Sequence, residues 1–176
     1  MTKTEFAARL QQACASVTAA EQELTEIDSK FGDADHGLTM TKIAGAISGA
    51  VAESDGGIQS MLDDAAMAVM VLNGGSAVPL WNTWLDGMQE NAPDGDEIDT
   101  AGLQAIFARA LEALNEMSGA QVGDKTMMDA LIPASEAIAA YTGNDEQELF
   151  AAAAEAATRG AEASKQFVSK FGRAKS

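Results

Sequence analysis

Hydrophobic positions recur along this chain at helical spacing, interrupted by short polar segments that carry glycine. From Thr4 to about Ile27, Phe6, Leu10, Val17 and Leu24 form one stripe at near-heptad spacing, which predicts a long first helix. Leu38 to Ala52 predicts a second, in which Ala44, Gly45 and Gly49 would permit close packing. Ile58 to Leu72 is apolar on most faces and predicts a third, central helix. A fourth runs from Pro79 to about Gln89, with the proline near its first turn, where it is tolerated. Thr100 to Met117 sets Leu103, Ile106, Phe107, Ala110, Leu111 and Leu114 on one face of a fifth. Thr126 can cap a sixth, which extends to about Tyr141 and should kink at Pro133. The seventh starts near Asp145 and runs toward Lys170.

Short connections between helices of similar length imply antiparallel neighbours, so the expected fold is an all-α, up-and-down helical bundle or barrel. Three glycine-bearing loops, 28–37, 73–78 and 119–126, each follow an odd-numbered helix of this set. In an up-and-down arrangement all three fall at one end. Function is expected there.

Composition narrows the fold class. Of 176 residues, 36 are alanine and only 5% are aromatic, which favours helix over sheet and excludes an all-β chain. The length suits one domain, residues 1–176. The formal charge of −16 repels nucleic acid and anionic lipid over most of the surface. The last 18 residues are the exception, because Arg159, Lys165, Lys170, Arg173 and Lys175 face only Glu162 there. They read as a solvated helix end. No apolar run approaches the ~18 residues of a membrane span, and no signal-peptide stretch opens the chain. A cytoplasmic protein is expected, and Cys14, the single cysteine, is expected to be a small buried hydrophobe.

The densest chemistry lies in Glu26-Ile-Asp28-Ser-Lys-Phe-Gly32-Asp33-Ala-Asp35-His36-Gly37. Three carboxylates at i, i+5 and i+7 concentrate the oxygen ligands that a hard divalent cation such as Mg²⁺ takes. An EF-hand fails, because the twelfth position from Asp33 is Ala44 and the glycine falls fifth. By spacing alone, a solvated acidic loop in which Asp33 or Asp35 caps a helix explains the pattern equally well. His36, the single histidine, sits beside these acids and suits a phosphate. Asn73-Gly74-Gly75-Ser76, before a helix, is a plausible anion cradle. Gly123-Asp124-Lys125-Thr126 has the same character and also reads as a plain capped helix start.

Three segments occur in order: Asp28-x4-Asp33-Ala-Asp35-His36-Gly37-Leu-x-Met40, Gly74-Gly75-Ser76-x-x-Pro79-Leu80, and Gly123-Asp124-Lys125-Thr126-Met127-x-Asp129. Together they resemble the nucleotide-binding L subunit of dihydroxyacetone kinase, the DhaL or Dak-phosphatase-like domain, over essentially the whole chain. The resemblance implies a barrel of eight antiparallel helices holding ADP or ATP at one end. It implies that Asp28, Asp33 and Asp35 bind two Mg²⁺ ions at the nucleotide phosphates. By the same resemblance His36, Gly74, Gly75 and Ser76 approach the phosphates, and Gly123, Thr126 and Met127 belong to the segment near base and ribose. No further catalytic residue is implied on this chain. The implied partners are a substrate-binding K subunit that holds dihydroxyacetone and a phosphotransferase-system M subunit that rephosphorylates resident ADP. Neither nucleic acid nor membrane is among them.

Two departures accompany the resemblance. Where the family reads Gly-Gly-Ala-Ser-Gly-Pro, this chain has Gly74-Gly75-Ser76-Ala77-Val78-Pro79, with the serine displaced by one position. The family also continues past the Gly172-Arg173-Ala174 position into a glycine-rich lid and an eighth helix, which are expected to be lacking here. The leading expectation is a phosphoryl-transfer subunit of a kinase for dihydroxyacetone or a related short ketose such as erythrulose. The alternatives are a non-catalytic nucleotide-sensing or partner-binding relative and, more remotely, the nucleotide-binding domain of a fatty-acid kinase.

Overall fold

The first hydrophobic stripe does not become one straight rod. In the computed structural model, which describes residues 1–172 and 175, it divides at Ala20 into α1 (Lys3–Ala19) and α2 (Glu21–Asp28). Ala20 has ψ of 5°, far from the helical value of about −42°. Neither proline nor glycine marks the spot, so the pattern gives no sign of the break. The remaining helices are α3 (His36–Glu53), α4 (Ile58–Met70), α5 (Ala77–Glu90), α6 (Thr100–Ser118), α7 (Met128–Ala140) and α8 (Glu146–Ser164). All seven expected segments are present, and the eighth helix comes from the division at Ala20.

From α2 to α8 each helix packs against the next, while α1 lies on α3, giving the expected up-and-down helical barrel. Among the described residues the extended pairing is a single isolated bridge between Thr2 and Glu97. The central position of α4 holds, because Ile58, Met61, Leu62, Ala65 and Val69 are all 0% exposed. Leu103, Ile106, Ala110 and Leu114 of α6 are 0% exposed as well. Burying each Leu or Ile contributes about 1.5–3 kcal/mol, so these two stripes carry much of the core. Cys14 is buried, as expected, and its burial pushes the thiol pKa up.

Three local expectations change. Gly45 and Gly49 face open space rather than a packed neighbour. The close approach on α3 is made instead at Gly37, where an added Cβ would lie 2.1 Å from the Glu21 carbonyl oxygen of α2. The last helix stops at Ser164, short of Lys170, and the following segment folds back along the barrel end. There Lys170 pairs with Asp124, so this basic residue is not simply solvated, and Arg173 lies outside the described residues. Between α1 and α8, Arg9 reaches over the Phe150 ring at 5.4 Å. An apolar cavity of about 540 Å³ opens beside it, lined by Leu10, Ile43, Trp81, Trp84 and Phe107 among others. No helix is long and apolar enough to cross a membrane among the described residues.

Candidate functional site

The loop that joins α2 to α3 is shaped by its own acids. Asp28 ends α2, and its Oδ2 accepts the backbone N–H of Asp35 at 3.1 Å and of His36 at 3.3 Å. These bonds curl the loop back on the helix end. Gly32 is required at its bend: a Cβ there would sit 2.0 Å from Asp28 Oδ1. Ala34 takes a φ of 61°, an uncommon conformation for a residue with a side chain. The result gathers Asp28, Asp33 and Asp35, each offering a carboxylate oxygen, with these atoms within 4.8 Å of one another. Asp28 is half-buried while Asp33 and Asp35 are exposed, so the cluster opens outward. Three oxygen donors on an open, acidic face fit a hard divalent cation that keeps further positions for water or phosphate.

His36 is the first residue of α3 and is exposed at its N-terminus. The 73–76 turn lies against the same helix end, since a Cβ on Gly74 would approach Thr39 Cγ2 to 3.1 Å and Val78 Cγ2 to 2.6 Å. Val78 is buried at 6% exposure, so the residue that stands in place of a family glycine packs inward beneath the turn. Ser76 leads into α5 without a side-chain cap, and Gly75 faces open space. Of the first amides here, that of Val78 donates to the Gly75 carbonyl at 3.2 Å and Pro79 has none, so Ser76 and Ala77 supply the N–H groups of this helix start. Such an end attracts anions.

The third loop is built differently. Gly119 ends α6 in the left-handed conformation, and Gly123 and Lys125 take φ of 100° and 58°. The Gly123 and Thr126 N–H groups both donate to Asp129, at 2.6 and 2.7 Å. Thr126 Oγ1 accepts the Met128 N–H at 3.1 Å, but Met127 holds the cap position of α7 without a side-chain cap bond, so Thr126 closes the turn before the helix rather than capping it. With both amides turned inward, this loop is not an open anion cradle. Its outer side is held by the C-terminal segment. Asp124 pairs with the Lys170 ammonium, its carbonyl accepts the Lys170 N–H at 3.1 Å, and Lys125 Nζ donates to the Phe167 carbonyl at 3.1 Å. The Lys170 ammonium, and then the Gln121 amide, hold the Asp124 carboxyl below its ordinary pKa.

All three loops lie at one end of the barrel, as the alternation of helix directions requires. The aspartates, His36 and the Gly74–Ser76 turn are brought together around the first turn of α3. Gly123, Thr126 and Met127 share that end, but their loop bonds to α7 and to the C-terminal segment rather than to the aspartates.

Against known proteins, residues 30–176 match the DAK2 domain. The chain belongs to the DAK2 domain family. This DAK2 domain is 37% identical to a D-erythrulose kinase of Mycolicibacterium smegmatis, over 89% of this chain and 28% of the relative. It is 28% identical to an ADP-binding subunit DhaL of a PEP-dependent dihydroxyacetone kinase from Listeria innocua, over 94% of this chain and 78% of that one. Its fold matches a crystal structure of the dihydroxyacetone kinase from C. freundii, solved in complex with AMP-PNP and Mg²⁺, with a TM-score of 0.72. That match covers 91% of this chain and 28% of the other at 24% identity. The DAK2 domain thus spans under a third of the erythrulose kinase it resembles, and it is a kinase-related, DhaL-like domain.

Two residues of this DAK2 domain gain a role that sequence reasoning did not assign. Asp129 sits 1% exposed beneath the third loop, and Lys170 spans from the C-terminal segment to Asp124. For Asp129 a signal was present, because Thr126-Met-Met-Asp129 has capping-box spacing. For Lys170 there was none: a partner 46 positions away leaves no periodic trace.

Proposed function

We propose that residues 1–176 act as one nucleotide-binding domain, and that it serves as the phosphoryl-transfer part of a short-ketose kinase. Asp28, Asp33 and Asp35 would hold two Mg²⁺ ions at the phosphates of ADP or ATP. The observation that carries this reading is the carboxylate cluster, with oxygens within 4.8 Å of one another beside the uncapped start of α5. When bound, the cations neutralise phosphate charge and polarise the transferring group. They also explain how a chain of charge −16 accommodates a polyanion.

The chain's own residues prepare that site. Asp28 is oriented by the Asp35 and His36 amides, which leaves Asp33 and Asp35 aimed outward from a fixed loop. Gly75 and Ser76, at the entry to α5, suit the phosphate groups, and His36 stands at the neighbouring helix start. The AMP-PNP and Mg²⁺ of the structural neighbour, and the ADP of the Listeria subunit, support the choice of ligand.

The sugar belongs to a second chain or domain of K-subunit type. Large apolar side chains exposed at the site end, including Phe31, Leu38, Val71, Val122 and Val168, support a docking face for it. Dihydroxyacetone and erythrulose are the substrate class that the relatives indicate. The donor is ATP or a phosphotransferase-system M subunit, the second supported by PEP-dependent and PTS-dependent relatives, and a cytoplasmic location goes with this reading.

Native mass spectrometry with and without a magnesium chelator tests the reading. A mass increment of one ADP and two Mg²⁺, lost on chelation, is expected. A protein that also refuses added Mg–ADP would overturn the proposal and leave a partner-binding relative of the fold.

A further inference from the structure

The carboxylate of Asp129 is an internal anion placed where a bound phosphate would be sought in a loop of this shape. It is 1% exposed at the start of α7, and each oxygen takes one backbone amide, from Gly123 at 2.6 Å and from Thr126 at 2.7 Å. Between those amides lies Lys125, a residue with a side chain held at φ of 58°. Conformations of this kind persist only where surrounding bonds over-determine them. The acid is itself wedged from behind. Pro133 has no N–H for the Asp129 carbonyl one turn earlier, and α8 packs against that carbonyl: a Cβ on Gly160 would lie 1.9 Å from its oxygen.

We infer that Asp129 is the positioning residue of the nucleotide site, fixing the 123–126 loop in the shape that receives the nucleotide without touching it. The inference rests on the nucleotide-binding function proposed above. It also assigns the loop's amides: Gly123 and Thr126 donate inward, so whatever this loop offers a nucleotide comes from its side chains and its outer surface. Charge-assisted bonds from a buried carboxylate to backbone amides are among the stronger hydrogen bonds, and substituting the acceptor leaves a donor unsatisfied. Asp129→Asn keeps the volume but sets an amide NH₂ against one of the two N–H groups.

The test compares the wild-type domain with Asp129→Asn by Mg–ADP titration calorimetry, Mn²⁺ binding without nucleotide, and amide hydrogen exchange. The expected result is Mg–ADP binding weakened by about tenfold or more, with Mn²⁺ affinity at the aspartate loop unchanged. Exchange at Gly123 and Thr126 should rise about a hundredfold while α4 stays protected. If Asp129→Asn does not fold, Gly123→Ala carries the test, since it strains the loop at positive φ and leaves the buried acid in place. A folded variant that binds Mg–ADP as the wild type does would overturn the inference. So would a parallel loss of nucleotide and Mn²⁺, which marks general disruption. A wild-type domain that binds no Mg–ADP defeats the proposed function instead, and the exchange data then decide separately whether Asp129 holds the loop.

Discussion

The two ends of this barrel are built on opposite principles. At the end away from the site, connecting segments bond to one another through their backbones. Lys3 N–H donates to Asp96 at 2.6 Å, Ile98 N–H to Met1 at 2.9 Å, Ile58 N–H to Gly95 at 2.9 Å and Gln59 N–H to Pro93 at 3.0 Å. The Met1 ammonium meets Glu146 at 2.8 Å. At the site end the bonds run mainly within each loop or to the C-terminal segment, and the carboxylates face outward. Every large apolar side chain exposed among the described residues, from Ile27 at 53% to Phe171 at 46%, also lies at that end. One end closes the fold; the other leaves like charges and apolar surface unburied, a cost in stability that function explains.

The same chemical change placed at each end should separate these roles. Gly57 opens α4 at the closed end, and a Cβ there would lie 1.9 Å from the Asp94 carbonyl oxygen. Backbone cannot step aside cheaply, so Gly57→Ala should lose about 2–4 kcal/mol of stability. Divalent-metal binding by the folded fraction should not change. At the site end, a Cβ on Gly32 would displace the Asp28 carboxylate, 2.0 Å away, which is a side chain with room to move. Gly32→Ala should therefore shift stability by no more than about 0.5–1 kcal/mol while weakening Mn²⁺ binding tenfold or more. Chemical denaturation with a parallel metal titration reads both. Equal stability losses from the two variants would erase the distinction between the ends.

How far this division was legible in the sequence follows from the range of the interactions. The seven helical segments were legible because burial imposes a 3.6-residue period, and the α4 and α6 stripes stand out as unbroken burial. Helix alternation alone brought the three loops to one end. The break at Ala20 was not legible, because an alanine with ψ of 5° carries no composition signal. Gly45 and Gly49 misled because a small residue permits close packing but does not require it. In the site, the three aspartates were visible as a cluster from spacing, whereas the inward turn of the Gly123 and Thr126 amides was not. A glycine-bearing turn before a helix reads identically whether its amides face solvent or a buried acid.

The exposed apolar side chains give a third contrast. Phe31 is 65% and Val71 72% exposed, so replacing both with serine should move the melting midpoint little, an effect within about 0.5 kcal/mol at each site. Nucleotide binding should also persist. Association with a K-type subunit should weaken by about tenfold, because apolar contacts near the centre of an interface carry much of its energy. Surface plasmon resonance against such a subunit checks this. Full retention of affinity would mean that the substrate-bearing partner does not dock on this end.

The smallest effect concerns the ion pair between the third loop and the C-terminal segment. The Lys170 ammonium, followed by the Gln121 amide, holds the Asp124 carboxyl below its ordinary value of 3.8. A carboxyl depressed by folding stabilises the folded state above its unfolded pKa, and that contribution is lost as pH falls through the lower folded value. The latch between the third loop and residues 165–171 should therefore be intact at neutral pH and loosen only below about pH 4. Lys170→Ala removes the ammonium but keeps the Lys170 main-chain bond to the Asp124 carbonyl at 3.1 Å, so the segment should stay in place with faster exchange rather than detach. In an NMR titration of the Asp124 carboxyl, the midpoint in the variant should move up toward 3.8 without reaching it, because the Gln121 N–H still donates at 2.9 Å. An unchanged midpoint would show that the amide alone sets the shift. The hold of the C-terminal segment on the third loop would then rest on the Lys170 main-chain bond and on Lys125 Nζ, which donates to the Phe167 carbonyl at 3.1 Å.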